Sequence, residues 1–300
     1  SADVLARNIG RQDVVKATLL SLISGRPAFF LGAPGVNKTG TVQALAKRVS
    51  GAVFHEELMS VVASADQLFV DSTSIEETAT PGGGKEIRVK SKLGRAVGAH
   101  IFFADEIWKG DSRVLQAVLD LAKGDGVRHE GTMVKTPLLA FLAASNELPD
   151  PEGNLGAMWS RMTIRVEVKP LDRAGKTRLV KARLERQKGA ATGGGALSLQ
   201  NIEIMRAARP HVAVPDGIVE IVLEIYETLQ KDHPGQFDWL WSDDRRFGRV
   251  FDVLQANSLL DGRTAVAKSD LAVLEWLLWD SPEQIGVVKA VLAPYSRTPF

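Results

Sequence analysis

One nine-residue segment, GAPGVNKTG over residues 32–40, constrains this chain more than any other part of its sequence. It follows the apolar run 28–31 and precedes residues with helical spacing of apolar side chains, which indicates a strand, a glycine-rich loop and a helix. Backbone N–H groups in such a loop curl around phosphate at a helix N-terminus, where the helix dipole also favours anions. The segment predicts a phosphate-binding loop made by Gly32, Ala33, Pro34, Gly35, Val36, Asn37, Lys38, Thr39 and Gly40.

Two side chains of this loop have predicted roles toward a bound triphosphate. Lys38 would contact the β- and γ-phosphates, and the Thr39 hydroxyl would bind Mg²⁺. Asn37 stands where the usual pattern has glycine. Because asparagine is among the few other residues that adopt left-handed backbone geometry, we expect the loop to keep its shape. The alternative is a turn rich in glycine and proline, followed by a surface lysine.

The first half of the chain alternates strand patterns with helical patterns. Further strands are predicted from apolar or alternating runs at residues 101–104, 138–144 and 163–168, with a weaker one at 52–55. Helices are predicted from the period of the apolar residues over 39–49 and 112–122. Near-continuous apolar strands are typical of a parallel sheet covered on both faces. The predicted fold class is therefore α/β, a parallel sheet flanked by helices.

The second half indicates a smaller, mainly helical domain. Its helices are predicted over residues 171–187, 217–229, 249–260 and 271–279. We place the boundary after Pro170, which gives an α/β domain over 1–170 and a helical domain over 171–300. The run GAATGGGA at 189–196 predicts a flexible loop, and no convincing strand pattern follows it. Residues 71–95 fit neither pattern and predict a loop or an inserted hairpin.

Acidic residues follow the strand predicted at 101–104. An acid at this strand tip can hold Mg²⁺ through water, and the next acid can polarise a water for attack on the γ-phosphate. We therefore assign Mg²⁺ binding to Asp105 and activation of the water to Glu106. The alternative is a pair of solvated acids at the end of a strand.

Two polar residues lie at the ends of the later strands. Asn146 follows the strand predicted at 138–144 and could orient the attacking water, although asparagine also commonly ends strands. Arg161 precedes the strand predicted at 163–168 and could reach a phosphate bound to a neighbouring subunit. The alternative for Arg161 is an ion pair at the surface.

A pair of arginines, Arg245 and Arg246, opens a helix in the second half. One of them could link the helical domain to the nucleotide. The alternative is that both pair with the acids before them, Asp243 and Asp244.

Composition excludes several classes of protein. The chain has no cysteine, so disulfides, zinc–thiolate sites and thiol catalysis are ruled out. Its 37 basic and 36 acidic residues give a formal charge of +1, which argues against a protein that binds nucleic acid or membranes through bulk charge. No apolar run approaches the roughly 18 residues of a membrane span, and no signal-peptide pattern begins the sequence. We therefore expect a soluble, cytoplasmic protein.

The order of these motifs resembles that of an AAA+ ATPase of the MoxR family, and RavA-type members above all. The segments that carry the resemblance are DEIWK at 105–109, AASNELP at 143–149, SRMTIR at 160–165, SDDRRF at 242–247, and GRTAVA at 262–267 with Asp270 and Leu271. RavA-type chains carry a further C-terminal insertion domain, which we do not expect in a sequence that stops at Phe300.

The resemblance implies a role for each matching position. Lys38 and Thr39 match the Walker A lysine and hydroxyl, and Asp105 and Glu106 match Walker B. The remaining matches are sensor 1 at Asn146, the arginine finger at Arg161, sensor 2 at Arg245 or Arg246, the adenine-packing turn at Ile9, Gly10 and Arg11, an insert within 71–95 and a pre-sensor hairpin at 126–136.

The resemblance also implies what such a chain does. ATP and Mg²⁺ would bind in a cleft between the two domains, and hydrolysis would need a neighbour's Arg161, so we expect a ring, a hexamer. The ring would remodel a protein client, with a von Willebrand A domain protein as partner. One alternative is a nucleotide-gated scaffold that hardly hydrolyses ATP. Another is a nucleic-acid motor using the basic residues within 85–95, which the near-neutral charge disfavours.

Overall fold

The computed structural model describes residues 9–79, 85–124, 126–129, 131–150, 155–187 and 197–295. In chain order the strands are β1 (Ala28–Leu31), β2 (Val49–Ser50), β3 (Phe54–Leu58), β4 (Val70–Ala79), β5 (Lys85–Leu93), β6 (Ile101–Asp105), β7 (Val127–His129), β8 (Thr132–Val134), β9 (Ala140–Ser145), β10 (Ile164–Glu167) and β11 (Leu197–Ser198). The α-helices are α1 (Gln12–Ser24), α2 (Lys38–Ala46), α3 (Ala65–Phe69), α4 (Ser112–Lys123), α5 (Gly156–Trp159), α6 (Arg173–Gln187), α7 (Leu199–Ala208), α8 (Asp216–Asp232), α9 (Trp239–Ser242), α10 (Asp244–Leu260) and α11 (Glu283–Leu292). Short 3₁₀ helices cover Met59–Val61, Ile107–Lys109, Arg209–His211 and Lys268–Trp276.

A five-stranded parallel sheet lies at the centre of the α/β part, in the order β10–β1–β9–β6–β3. Helices flank the sheet and a helical region follows it, so the predicted α/β fold class is confirmed. Since all five strands run the same way, their carboxyl ends meet at one edge, where α/β sheets bind ligands. Leu31, the last residue of β1, pairs there with Ser145, the last residue of β9.

Strands β1, β6 and β9 are apolar along nearly their whole length because both faces of the sheet are covered. Phe29, Phe102 and Phe141 belong to the core on one face, and Phe30, Phe103 and Leu142 belong to the core on the other. This alternation is the period of two expected of a strand. Each fully buried phenylalanine contributes about 1.5–3 kcal/mol to folding, so the strands that carry the site are among the most firmly held.

The core is continuous between the α/β part and the helical part. Helix α1 packs against α10, and the same hydrophobic cluster contains Leu20 of α1, Phe30 of β1 and Val250 of α10. The domain boundary predicted after Pro170 is therefore not marked by a break in packing, and it stays a prediction.

Three helix predictions need correction. Helix α2 ends at Ala46 rather than at residue 49, because Val49 and Ser50 form β2 and pair with β11. The helix predicted at 271–279 is a 3₁₀ helix over Lys268–Trp276. Helix α10 begins at Asp244, five residues before the predicted start, and Asp243 caps it by accepting a hydrogen bond from the Arg246 N–H.

Several elements had no sequence prediction, namely the helices α1, α3, α5, α7, α9 and α11 and the short strands β2 and β11. Of the loop and the inserted hairpin predicted for residues 71–95, the hairpin agrees with the structure, since β4 and β5 pair in antiparallel fashion. The predicted hairpin at 126–136 consists of β7 and β8. The loop predicted at 189–196 lies outside the described residues. Within the part of the chain that the structure describes, no helix combines the length and the hydropathy of a membrane span.

Candidate functional site

The loop over residues 32–40 turns at the carboxyl end of β1 and runs into α2. Asn37 has φ +63° and ψ 38°, so it adopts the left-handed geometry that the sequence predicts for it. Gly35 is also left-handed, with φ +81°. The first helical residue is Lys38 and no side chain caps the helix start. The first-turn N–H groups of α2 are therefore placed to bind an anion at the positive end of the helix dipole.

Lys38 is a buried cation at the start of α2. Its ammonium group donates hydrogen bonds to the carbonyl oxygens of Gly32 and, at 3.2 Å, Ala33. Burial lowers the pKa of Lys38 below that of an ordinary lysine, and the nearby charges of Asp105 and Glu106 act in the opposite direction. A buried ammonium held mainly by neutral carbonyls is suited to bind an anionic ligand.

Thr39 and Asp105 lie together although they are far apart in the sequence. The Thr39 hydroxyl donates to Asp105 Oδ2 at 2.8 Å, and Asp105 Oδ1 accepts the Glu106 N–H at 3.0 Å. A hydroxyl and a carboxylate are the hard oxygen ligands that Mg²⁺ prefers, so these residues fit that ion. In the described residues no group of three or more histidine, aspartate or glutamate side chains could hold a metal. Mg²⁺ here would therefore depend on phosphate oxygens as further ligands.

Glu106 follows β6 with a left-handed backbone, φ +51°. This geometry is uncommon for a residue other than glycine and is typical of functional positions. Its carboxylate lies 3.7 Å from the Lys109 ammonium, and both side chains are partly exposed. Glu106 is thus accessible from the site while its backbone is constrained.

A pocket of about 320 Å³ brings most of the predicted residues together. It is lined by Pro34, Gly35, Val36, Asn37, Lys38, Thr39, Gly40, Asp105, Glu106, Ser145 and Asn146. Gly32 lies behind it, where its N–H donates to the Ser145 carbonyl at 3.1 Å and a Cβ would stand 2.4 Å from the Val168 oxygen. The pocket thus brings together the loop, the two acids Asp105 and Glu106, and the side-chain amide of Asn146 at the carboxyl edge of the sheet.

A second pocket, of about 300 Å³, shares the loop residues 34–37 with the first. Its lining is mainly apolar and consists of Ile9, Arg11, Ala33, Pro34, Gly35, Val36, Asn37, Pro170, Leu171, Lys176 and Leu179. Gly10 does not line either pocket but approaches Leu171 so closely that a Cβ would lie 2.4 Å from its side chain. The two pockets together offer a polar and an apolar compartment on either side of the loop.

Arg11 supports the loop, which the sequence alone did not indicate. Its buried guanidinium donates from Nε to the Val36 carbonyl at 2.6 Å and from Nη1 to the Gly10 carbonyl at 2.7 Å. The family resemblance implies a place for Arg11 only within the adenine-packing turn. No site role was predicted for Ser145, Lys109 or the α6 residues Lys176 and Leu179, although Lys109 and Ser145 stand in segments that carry the resemblance.

Arg161 and Arg245 line neither of these two pockets. Arg161 is half-buried and its guanidinium donates to the Ala157 carbonyl of α5. Both arginines lie near Arg249 of α10: burial lowers the pKa of Arg249, and the charges of Arg161 and Arg245 lower it further. The predicted finger and the first sensor 2 candidate therefore both lie outside the pockets formed by their own chain's phosphate loop.

Arg246, the other sensor 2 candidate, lines neither pocket and is engaged within the helical region. It is 3% exposed, donates to the Leu277 carbonyl at 2.7 Å and to Asp280 at 3.2 Å, and stacks over Trp239 at 3.8 Å. The second pocket lies between residues of the predicted α/β domain and residues 171–179 of the predicted helical domain.

Comparison with known families now decides the class of this protein. A family model described as the MoxR domain of MoxR–vWA–β-propeller ternary systems matches residues 2–207. The chain belongs to the MoxR family of AAA+ ATPases. A second model, of an AAA lid domain, matches residues 217–292, so the helical region is the lid of this MoxR protein.

Two relatives of this MoxR chain occur in Methanocaldococcus jannaschii. The uncharacterised protein MJ0079 is 26% identical over 283 residues, which is 94% of this chain and 70% of the relative. MJ0812 is 25% identical over 291 residues, 96% of this chain and 72% of the relative. A structural protein of Acidianus two-tailed virus, ORF618, is 26% identical over 162 residues, 52% of this chain and 25% of the viral protein.

A solved structure agrees with the fold. The crystal structure of a predicted ATPase from Cytophaga hutchinsonii superposes with a TM-score of 0.67, covering all of this chain and 92% of that one. The two sequences are 15% identical, so this likeness concerns the fold alone.

Proposed function

We propose that this MoxR chain binds ATP with Mg²⁺ at the loop 32–40 and hydrolyses it. The observation that carries the proposal is the 320 Å³ pocket, where Lys38, the Thr39–Asp105 pair, Glu106 and Asn146 meet. The triphosphate would lie in this pocket against the first turn of α2. The base would lie in the apolar pocket beside Ile9 and Leu171, which shares the loop with the first.

Each residue of the polar pocket then has a chemical task. Lys38 would bind the β- and γ-phosphates, and Thr39 and Asp105 would hold Mg²⁺, which neutralises phosphate charge as the bond to the leaving group breaks. Glu106 would accept a proton from the attacking water, and Asn146 would orient that water. Glu106 directly follows β6, and Asn146 directly follows β9, the strand that pairs with β6. The two side chains would therefore contact the same water.

We also propose that the active form is a ring, a hexamer. Arg161 lies outside its own chain's polar pocket, so it would act on ATP bound by a neighbouring subunit, as an arginine finger does. Arg245 is exposed and also lies outside that pocket, so we propose that it approaches that same ATP. Arg245 is thus the better candidate for sensor 2, and Arg246 has a structural place.

The work of the ring would be the remodelling of a protein partner, as in RavA-type members of the family. The family description names von Willebrand A and β-propeller proteins alongside the MoxR domain, so we propose proteins of these two kinds as partners. Because the reaction consumes ATP, we propose that the chain works in the cytoplasm.

Steady-state phosphate release, measured together with ATP binding, tests the proposal. Glu106→Gln should lower turnover by about 10²–10⁴-fold, the typical contribution of a general base, while ATP still binds. The control is Glu224→Gln on the exposed side of α8, which should leave ATP turnover and ATP binding unchanged. Unchanged turnover in Glu106→Gln would show that Glu106 does not act as the base for the attacking water. If the wild-type chain binds ATP and releases no phosphate, the nucleotide-gated scaffold is the correct alternative.

A further inference from the structure

The backbone that carries Arg161 is held by side chains at four consecutive carbonyl groups. The Trp159 and Met162 oxygens accept hydrogen bonds from Arg165, each at 2.8 Å. The Ser160 oxygen accepts from Arg249 at 3.2 Å, and the Arg161 oxygen accepts from the Thr163 hydroxyl at 3.2 Å. By contrast, the half-buried Arg161 side chain donates locally, to the Ala157 carbonyl one turn before it. The position of the backbone is fixed while the tip of the side chain faces the surface.

The helical domain supplies or holds two of the three donor residues, Arg249 and Arg165. Arg249 belongs to α10, so its bond to Ser160 joins the two domains directly. Arg165 is fully buried in β10, and its Nη1 donates to the Trp279 carbonyl and to Asp280, which both lie in the helical region. Its guanidinium also stacks on Trp159 at 3.8 Å, so one side chain ties the finger segment to the helical domain.

Asp280 is central to this connection between the domains, because its carboxylate accepts hydrogen bonds from two buried arginines. It accepts from Arg165 and, at 3.2 Å, from Arg246, which itself stacks on Trp239. The backbone N–H of Asp280 donates to Gln284 Oε1 at 2.6 Å, which holds the backbone that carries this carboxylate. Two buried guanidinium groups beside one carboxylate repel each other when that charge is removed. The orientation of Arg165 therefore depends on Asp280.

We propose that Arg249 and Asp280 are positioning residues for Arg161: through them the helical domain sets where the finger meets ATP on the neighbouring subunit. The inference rests on the proposed function, since it needs a ring in which Arg161 acts between subunits. A misplacement of about 1 Å can cost a catalytic group on the order of 100-fold in rate, so these bonds matter for turnover. Neither Arg249 nor Asp280 lines the two pockets assigned to ATP, so these bonds should not matter for ATP affinity.

The test compares ATP turnover and ATP affinity in Arg249→Ala, Arg249→Lys and Asp280→Asn. Arg249→Ala and Asp280→Asn should each lower turnover by about 10- to 100-fold and leave the Kd for ATP unchanged. Arg249→Lys can still donate to the Ser160 oxygen and should recover part of the loss. Arg183→Ala, an exposed change on α6, is the control and should behave like the wild-type chain.

Mixing variants separates positioning from general damage. A ring subunit with Arg249→Ala keeps an intact phosphate loop but offers a displaced finger, whereas Glu106→Gln keeps the finger and lacks the base. Co-assembly of the two should restore turnover above the sum of the separate proteins. Absence of recovery would overturn the inference, because the defect would then lie in the variant's own site.

Other outcomes distinguish the inference from the proposed function. If Arg161→Ala abolishes turnover while Arg249→Ala and Asp280→Asn turn over ATP like the wild-type chain, the positioning role is wrong. The proposed role of Arg161 as arginine finger is then still supported. If Asp280→Asn fails to fold, Arg249→Ala alone decides. If the wild-type chain binds no ATP, the proposed function fails, and the inference fails with it.

Discussion

The hydroxyl of Thr39 donates a hydrogen bond to the carboxylate of Asp105 at 2.8 Å. This bond connects the loop after β1 with the end of β6, two strands that are not neighbours in the sheet because β9 lies between them. Each of the two side chains is a ligand type that Mg²⁺ accepts. Their contact joins the phosphate loop to the acid pair and defines the centre of the proposed ATP site.

Asn37 offers a direct test of the unusual loop sequence. Because its φ of +63° is readily adopted by glycine, Asn37→Gly should bind ATP within about threefold of the wild-type chain. A β-branched residue pays about 1–2 kcal/mol in this geometry, so Asn37→Val should weaken ATP binding by about 5- to 30-fold. The measurement is the Kd for ATP by titration calorimetry. Equal affinity of the two variants would show that the left-handed backbone is not required.

The lowered pKa of Lys38 predicts the pH dependence of binding. ATP needs the charged ammonium, so affinity should fall as pH rises through the pKa that Lys38 has in the free protein. Burial lowers that pKa, so the fall should begin below the value of about 10.4 expected for an ordinary lysine. Since phosphate charges raise the pKa in the complex, the Kd should increase up to about tenfold per pH unit between the two values.

Lys38→Arg is the control for this titration, because a guanidinium stays charged throughout the range. Its ATP affinity should be lower at neutral pH and should show no loss over the same alkaline interval. The same pH dependence in both proteins would mean that another group titrates.

Arg11 is predicted to support ATP binding without touching the phosphates. Removing its bond to the Val36 carbonyl frees the loop, and hydrogen bonds from charged groups contribute about 1.5–3 kcal/mol. Arg11→Met, which keeps an apolar stem, should therefore weaken ATP binding by about tenfold, whereas Arg11→Lys should lose less. Fluorescence titration with a labelled ATP measures both. Unchanged affinity in Arg11→Met would show that the loop keeps its shape unaided.

Asp270 is predicted to stabilise the helical domain. It is completely buried and accepts from Arg263 at 2.6 Å, from Asn257 at 2.5 Å and from the Ala267 N–H at 2.8 Å. Breaking such a buried network typically costs about 3–5 kcal/mol of unfolding free energy, which we expect for Asp270→Ala in urea denaturation.

Asp261→Ala is the matched control for Asp270, because Asp261 pairs with the same Arg263 at 2.9 Å from an exposed position. Its cost should be about 1 kcal/mol or less. A loss as large as that of Asp270→Ala would indicate that burial does not decide the strength of these pairs.

The sequence predicts most of the sheet and of the polar pocket because both depend on local pattern. Strands β1, β6 and β9 are buried on both faces, so nearly every residue in them is apolar and the runs are visible. The functional residues follow those runs directly, since parallel strands bring their carboxyl ends to one edge. Asn37 could be predicted to be left-handed for the same local reason.

What the sequence does not predict depends on partners that are distant in the chain. Arg246 is buried because Asp280 and the Leu277 carbonyl meet it there, and a pair of adjacent arginines cannot show which one that will be. Helix α2 ends early because Val49 pairs with Leu197. Arg11 becomes part of the site only once α1 is placed against the loop, and no pattern in residues 9–24 predicted that helix.

The most direct test of the account is calorimetric titration of ATP in the presence of Mg²⁺ into three proteins: wild type, Lys38→Ala and Lys47→Ala. Lys47 follows the same helix but is exposed, so Lys47→Ala controls for loss of charge. We predict one ATP per chain for the wild type and Lys47→Ala, and a Kd at least about 10- to 100-fold higher for Lys38→Ala, which loses charge-assisted hydrogen bonds of about 1.5–3 kcal/mol. Equal affinity of Lys38→Ala and wild type, or no saturable binding to the wild type, would contradict the account.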